Sequence, residues 1–245
     1  MPENQGEICN MNKKEKELDK RNRLMAATEE VFSRRGYAQA TVDEIISLAD
    51  TGKGTLYKYF GNKDDLFYTL VSQKHSFLMK QLWPVANAAD KGIEEKLTGI
   101  LTLWIDFLRK NTVLWQVLCF EMTGSTSGYV SVLDKDETLE GMRLTAKWGE
   151  LPPVEEQEKT LRYHRLIFEE LQPVLQVYRE GIRQNFFNKV ASHDDIAIAI
   201  FLSVAMLVFF HTANNLENVP AEELAANIVK TRLYGLAAVS RETGR

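Results

Sequence analysis

Several things that would mark common protein classes are scarce or missing from this sequence. Only two cysteines occur in 245 residues, Cys9 in a polar leader and Cys119 in an apolar run. That separation matches no metal or redox spacing and supplies no disulfide framework. The leader Met1 to Asp19 lacks the apolar core of a signal peptide, which makes a cytoplasmic setting the expectation. The stretch Ile196 to Phe210 has Ser203 as its only polar member, but at fifteen residues it is shorter than the roughly 20 that a membrane-crossing helix needs. It reads as a helix buried on all sides, with no membrane partner.

There is no general basic excess either. The formal net charge is −4, which argues against a protein that coats nucleic acid and confines any such binding to a local surface. The four histidines form no HExxH, and GxSxG, P-loop and CxxC arrangements are also missing. No catalytic residue, metal site or cofactor is therefore expected. His164 and His211 lie on apolar helical stretches without a spaced ligand partner, which suits a core or pocket histidine. Strand-like alternation of Val, Ile and Thr is rare, and no convincing strand pair or internal repeat emerges.

What the chain does have is helical periodicity and an uneven charge. Between Lys13 and Lys80 there are 13 Lys/Arg against 10 Asp/Glu, a balance of +3, which leaves −7 for the rest. Apolar residues recur every three or four positions through most of the length, so the fold class is all-α. A first helix is expected over Lys20 to Arg35, with Leu24, Thr28, Val31, Phe32 and Arg35 at helical spacing and Gly36 as a left-handed stop. Thr41-Val42-Asp43-Glu44 then opens a second helix with a capping box, whose buried face is completed by Ile45, Ile46, Leu48 and Ala49. Asp50-Thr51-Gly52 is a turn. Lys53 to Phe60 gives barely two helical turns before Gly61, and Asn62 caps a fourth helix that Pro84 stops near Trp83.

Further helices are expected over Ile93 to Arg109, with Ile93, Leu97, Ile100, Trp104 and Phe107 on one face, and over Val113 to Met122. Gly124 to Pro153 is long for a loop in a compact domain and reads as either a lid or a disordered insertion. From Glu155 to Arg183 an apolar stripe runs through Leu161, His164, Phe168, Leu171, Leu175, Tyr178 and Ile182 in alternating steps of three and four, with Pro173 expected to kink its axis. Ser192 and Asp195 cap the apolar helix, and Pro220 with Glu222 and Glu223 opens the last one, Ala221 to Val239.

A helix, a turn of about three residues and a second short helix is the geometry in which one helix braces another in the DNA major groove. Lys53, Thr55 and Lys58 carry side chains suited to base edges or phosphates, while Tyr57, Tyr59 and Lys63 suit the backbone on either side. Leu56 and Phe60, by periodicity, belong inside. Arg23 to Val71, with Val31-Phe32, Arg35-Gly36-Tyr37, Thr41-Val42-Asp43-Glu44-Ile45, Lys53 to Phe60 and Asn62-Lys63, resembles the DNA-binding domain of TetR-type regulators. The resemblance implies that Thr41 lies near phosphate, that Lys53, Thr55 and Lys58 face the groove, and that Tyr57, Tyr59 and Lys63 grip the backbone. Two positions depart from the pattern: Asp50 stands where such proteins commonly have glycine, and Gly52 where they often have serine or threonine.

The domain organisation expected is a flexible arm over residues 1–20, a three-helix DNA-binding domain over 21–70, and a C-terminal helical domain over 71–245 for effector binding and dimerisation. Pairing Ile196 to Phe210 and Ala221 to Val239 with their copies would bury both helices in a homodimer, an arrangement the resemblance also implies. A cavity for a small, largely apolar effector would be lined from Trp104, Phe107, Trp115, Leu118, Met122, His164, Phe168 and Leu171. The functional expectation is a ligand-responsive regulator, usually a repressor in such proteins, bound to a palindromic double-stranded DNA operator. A helical enzyme with a fused DNA-binding module finds no nucleophile, base and oxyanion donor to support it.

Overall fold

The computed structural model describes residues 4–111, 129–132, 139–187 and 218–234. Seven helices and one short sheet are seen among them: α1 Asn4–Gln39, α2 Val42–Leu48, α3 Lys53–Phe60, α4 Lys63–Ala86, α5 Ile93–Lys110, β1 Tyr129–Val132, β2 Arg143–Ala146, α6 Val154–Arg183 and α7 Ala221–Tyr234. The fold is all-α in class, with β1 and β2 paired as a two-stranded sheet. That pair corrects the expectation of no strands. Tyr-Val-Ser-Val and Arg-Leu-Thr-Ala are four residues each, too short to register in a helix-length window.

Local chemistry sets most helix ends. Gly36 takes φ 72° inside the long first helical stretch, a conformation open to glycine because it has no Cβ. The Thr41 hydroxyl accepts from the Glu44 amide at 3.2 Å while the Glu44 carboxylate accepts from the Thr41 amide at 3.3 Å, closing the capping box. At the start of α4 the Asn62 side-chain oxygen accepts from the Asp65 amide at 2.8 Å. Two boundaries differ from expectation. Helix α1 begins at Asn4 rather than Lys20, because the charged leader from Asn4 onward contains no proline and is rich in good helix formers. Helix α4 runs through Pro84 to Ala86; a proline withholds one amide from the ladder, which does not always end it.

The chain forms two compact units, each assembled from separate segments. The first comprises Met1–Ser76, Val113–Ser131 and Leu144–Tyr163. Its core holds Leu24, Val31, Phe32, Ile45, Leu56, Leu66 and Phe67, each at most 1% exposed. Phe32, Tyr37 and Phe67 pack ring on ring, and Tyr163 from α6 joins them against Phe67. Of the face expected on α2, Ile45 and Ala49 are buried, but Ile46 is half-buried and Leu48 is 46% exposed. With seven residues, α2 makes two turns and presents only the 45/49 edge to its neighbours.

The second unit comprises Phe77–Thr112, Val132–Arg143 and His164–Arg245. Ile93, Leu97, Ile100, Trp104 and Phe107 are buried along α5 as the periodicity implied. Helix α7 packs on α5 and buries Ala221, Leu224, Ala225 and Val229. Buried Lys96 of α5 donates to Glu180 of α6 at 2.7 and 2.8 Å. Along α6, Leu161, His164, Leu171, Leu175 and Tyr178 are buried, whereas Phe168 and Ile182 are half-buried. A second row, Tyr163, Ile167, Glu170, Val174 and Val177, is buried beside the first. The helix is therefore covered around much of its circumference, and not along a single seam. Pro173 lies within its continuous 30 residues. The helices expected over 113–122 and 196–210, and the cap at 192–195, lie outside the described residues.

Candidate nucleic-acid interface

Helix α3 is held in place by two of its own side chains. Leu56 and Phe60 are 0% and 6% exposed, one helical turn apart, and turn their side chains inward. The opposite face, Lys53, Gly54, Tyr57 and Lys58, is exposed or nearly so, and Tyr59 is half-buried; Thr55 completes the first turn. Four residues, 49–52, separate α2 from α3. Within that turn Asp50 adopts φ 48°, so the position that departs from glycine is one where the backbone is left-handed. Aspartate tolerates that region better than most residues, since its short side chain can bond locally. Arg23 of α1 braces the same turn, donating to the Ala49 carbonyl at 3.2 Å and lying 3.7 Å from the Asp50 carboxylate. It thereby caps the C-terminal end of α2, where carbonyls lack helical partners.

At the other departure, Gly52 is the N-cap of α3 and offers no side-chain acceptor. The first amides of α3 thus meet no cap from that residue. Around Gly52 and Gly54 a Cβ would find open space for 4 Å, so another surface can come close. Anionic groups suit such a helix start.

Lys53, Lys58 and Lys63 are each engaged within the chain. Lys53 pairs with Asp43 of α2 at 3.1 Å, and this carboxylate raises the ammonium above the usual lysine range. Lys58 pairs with Glu17 of α1 at 3.1 Å and is raised in the same way. The Tyr59 hydroxyl donates to the Glu17 backbone carbonyl at 3.2 Å. Lys63 lies 4.5 Å over the Tyr37 ring, where burial lowers its pKa, and the Tyr37 hydroxyl donates to Asp64.

Thr41, Lys53, Thr55, Tyr57, Lys58, Tyr59 and Lys63 therefore all fall on α3 or at the starts of α2 and α4. Sequence reasoning did not single out Glu17, Asp43, Tyr37 or Arg23 as the groups that position them. The i to i+10 spacing of Asp43 and Lys53, across a helix-turn-helix whose boundaries were legible, was the available signal for one of these pairs.

Of the residues expected to line an effector cavity, Trp104, Phe107, His164 and Leu171 are buried and Phe168 half-buried, all in the second unit. Burial lowers the His164 pKa and favours its neutral form. Trp115, Leu118 and Met122 lie outside the described residues. Among the described residues no group of three or more His, Cys, Asp or Glu is placed to hold a metal, and no helix is long and apolar enough to cross a membrane.

Known proteins share this architecture. The family described as bacterial regulatory proteins, tetR family, matches residues 24–69. An uncharacterised HTH-type transcriptional regulator of Bacillus subtilis, YhgD, is 31% identical over 80 residues, 33% of this chain and 38% of the relative. The HTH-type transcriptional regulator QacR of Staphylococcus aureus is 28% identical over 79 residues, 32% of this chain and 42% of its own. The chain thus matches less than half the length of these curated relatives. The fold extends further: the transcriptional regulator FadR of Bacillus subtilis, solved in complex with stearoyl-CoA, superposes with a TM-score of 0.64 at 18% identity, covering 88% of this chain and 98% of that one.

Proposed function

We propose, from the match of residues 24–69 to the tetR family of bacterial regulatory proteins, that this chain is a ligand-responsive transcriptional regulator, a repressor released from a palindromic operator by a small, largely apolar effector. The observation that carries the reading is α3 itself: a two-turn helix pinned by Leu56 and Phe60, with Lys53, Tyr57 and Lys58 turned outward. In this reading Lys53, Thr55 and Lys58 read base edges, and Thr41, Tyr57, Tyr59 and Lys63 contact phosphates. Residues 21–70 form the DNA-reading domain and 71–245 the effector and dimerisation domain. The protein works in the cytoplasm and as a homodimer through 196–210 and 221–239, so that two copies of α3 meet half-sites one or more helical turns apart, a turn being about 34 to 36 Å.

The effector enters the second domain near Trp104, Phe107, Trp115, Leu118, Met122, His164, Phe168 and Leu171. The stearoyl-CoA held by FadR supports a long acyl chain as its chemical class. No residue is assigned a catalytic role. An effector acts only through different affinities for the DNA-competent and incompetent forms, and a hundredfold loss of operator affinity corresponds to coupling of about 2.7 kcal/mol.

The test selects a duplex from a random pool with the full chain and then titrates it at several salt concentrations, with and without stearoyl-CoA. Contacts to about 6 to 10 phosphates predict a fall in affinity of roughly three to five orders of magnitude from 50 to 200 mM salt. Linkage requires DNA to weaken the effector by the same factor by which the effector weakens DNA. Failure to enrich any sequence overturns the DNA reading, and equal stearoyl-CoA affinity with and without DNA removes that compound as the effector.

A further inference from the structure

Helix α3 contains no acidic residue, yet both of its lysines are ion-paired, and each carboxylate comes from a different helix. Asp43 stands in the first turn of α2 and reaches Lys53 at 3.1 Å; Glu17 stands on α1 and reaches Lys58 at 3.1 Å, its backbone carbonyl also accepting from the Tyr59 hydroxyl. Asp43 is 73% and Glu17 45% exposed, and their lysines 54% and 65%. Ion pairs this exposed add little to stability, so neither is needed to hold the fold. Their position is what matters. They neutralise two cations of the surface assigned to DNA, which sits in a segment whose balance is only +3.

We propose that Asp43 and Glu17 are specificity residues, which keep Lys53 and Lys58 from ordinary phosphates and yield them only to a better acceptor on the cognate site. This rests on α3 being the DNA-reading helix. On random-sequence duplex a lysine that left its carboxylate would gain one phosphate oxygen, exchanging one single-charged partner for another. On the cognate site it meets the adjacent O6 and N7 acceptors of a guanine, a two-acceptor contact in the groove that a wrong base does not offer. The carboxylates also repel the backbone whenever the helix lies out of register. Discrimination then comes from weakening the wrong complex as well as from strengthening the right one.

Counterion release separates this from a structural role. A lysine that stays paired with its carboxylate on random DNA brings no net charge to the phosphates and displaces no cation there, whereas one freed of that carboxylate does. The experiment measures the affinity of the full chain for its selected duplex and for a random-sequence duplex between 50 and 300 mM salt, for wild type, Glu17→Gln, Asp43→Asn and the double variant, with Glu17→Asp and Asp43→Glu as charge-retaining controls.

For each amide substitution the random-DNA salt dependence steepens by about 0.9 log units per log unit per subunit, and random-DNA affinity rises roughly eightfold per subunit at 0.1 M salt. The cognate slope stays as in wild type, and the charge-retaining variants behave like wild type. Unchanged random-DNA slopes in Glu17→Gln and Asp43→Asn, with cognate selection intact, overturn the proposal and leave the DNA reading standing. A wild type that enriches no duplex at all overturns both. Because Glu17 lies on α1, far in sequence from the Thr41 cap, its variant reads the effect even where Asp43→Asn perturbs the first turn of α2.

Discussion

Arg162 of α6 donates to the Asp65 carboxylate in the first turn of α4 at 2.7 Å, joining residues 97 positions apart. Its guanidinium also lies 4.4 Å over the Tyr68 ring, and next to it Lys159 pairs with Asp64 at 3.3 Å. The start of a helix late in the chain is thereby fastened to the helix that follows α3.

Replacing Arg162 removes a charge-assisted bond and leaves Asp65 and the aromatic faces of Tyr68 and Tyr163 less covered. With only 17% of the arginine side chain exposed, Arg162→Ala is expected to cost about 2 kcal/mol. Arg162→Met, which keeps the stem packing, costs less. Urea unfolding of both variants checks this, and equal losses would assign the whole effect to the lost charge and its hydrogen bond.

At Asp50 the backbone and not the side chain decides. The carboxylate is 99% exposed, so its contacts count for little, but φ 48° penalises any Cβ and a branched one most. Asp50→Val should lower the thermal midpoint clearly, and Asp50→Gly should leave it within about a degree or two, the relief in the fold being offset by greater freedom of the unfolded chain.

Thr41→Ala removes the acceptor for the Glu44 amide and should cost about 1 kcal/mol. The box is also pH-sensitive. The Thr41 backbone bond, ahead of the Arg35 charge, holds the Glu44 pKa below its ordinary 4.5. A depressed carboxylate stabilises above its unfolded pKa, and that stability is lost as pH falls through the folded value. Glu44→Gln should therefore flatten the acid limb of a stability profile below about pH 4.5 while leaving its neutral plateau sloped as in wild type.

His164 has the same proton balance in a higher pH range. Burial lowers its pKa from 6.5, so below that value the unfolded chain takes up a proton that the folded chain refuses. Stability is complete above about pH 6.5 and declines as pH falls towards the folded value. In His164→Gln that part of the decline disappears. Denaturation midpoints collected at half-unit steps from about pH 5 to 8 measure it.

The parts of the structure that were legible beforehand are those in which neighbours in sequence settle the outcome. Gly36 breaks the α1 stretch, and Thr41, Gly61, Asn62 and Pro220 each mark a helix end, by their own backbone or side-chain chemistry, and the α5 face follows from 3.6-residue periodicity alone. Less legible were features that depend on distant partners. Leu48 fits the apolar period of α2 yet stays largely open to solvent, and Phe168 and Ile182 continue the α6 stripe only half-covered. Lys53 and Lys58 were recognised as cations on an exposed face, but their carboxylate partners come from other helices. Lys63, assigned to phosphate, rests on a tyrosine ring brought near by the Gly36 turn.

The first unit draws residues 144–163 from the far side of the sequence, and this bears on how such proteins are taken apart and recombined. A chimera made by cutting after the fourth helix would transplant the helix-turn-helix segment without the stretch of α6 that seats Arg162 and Tyr163 against it. The graft would expose the flank of Phe67 and Tyr68 to whatever the new host supplies there. Successful exchanges should be those whose hosts bring an arginine and an aromatic side chain to the same flank, so the portable module is a surface to be matched and not a stretch of gene to be excised.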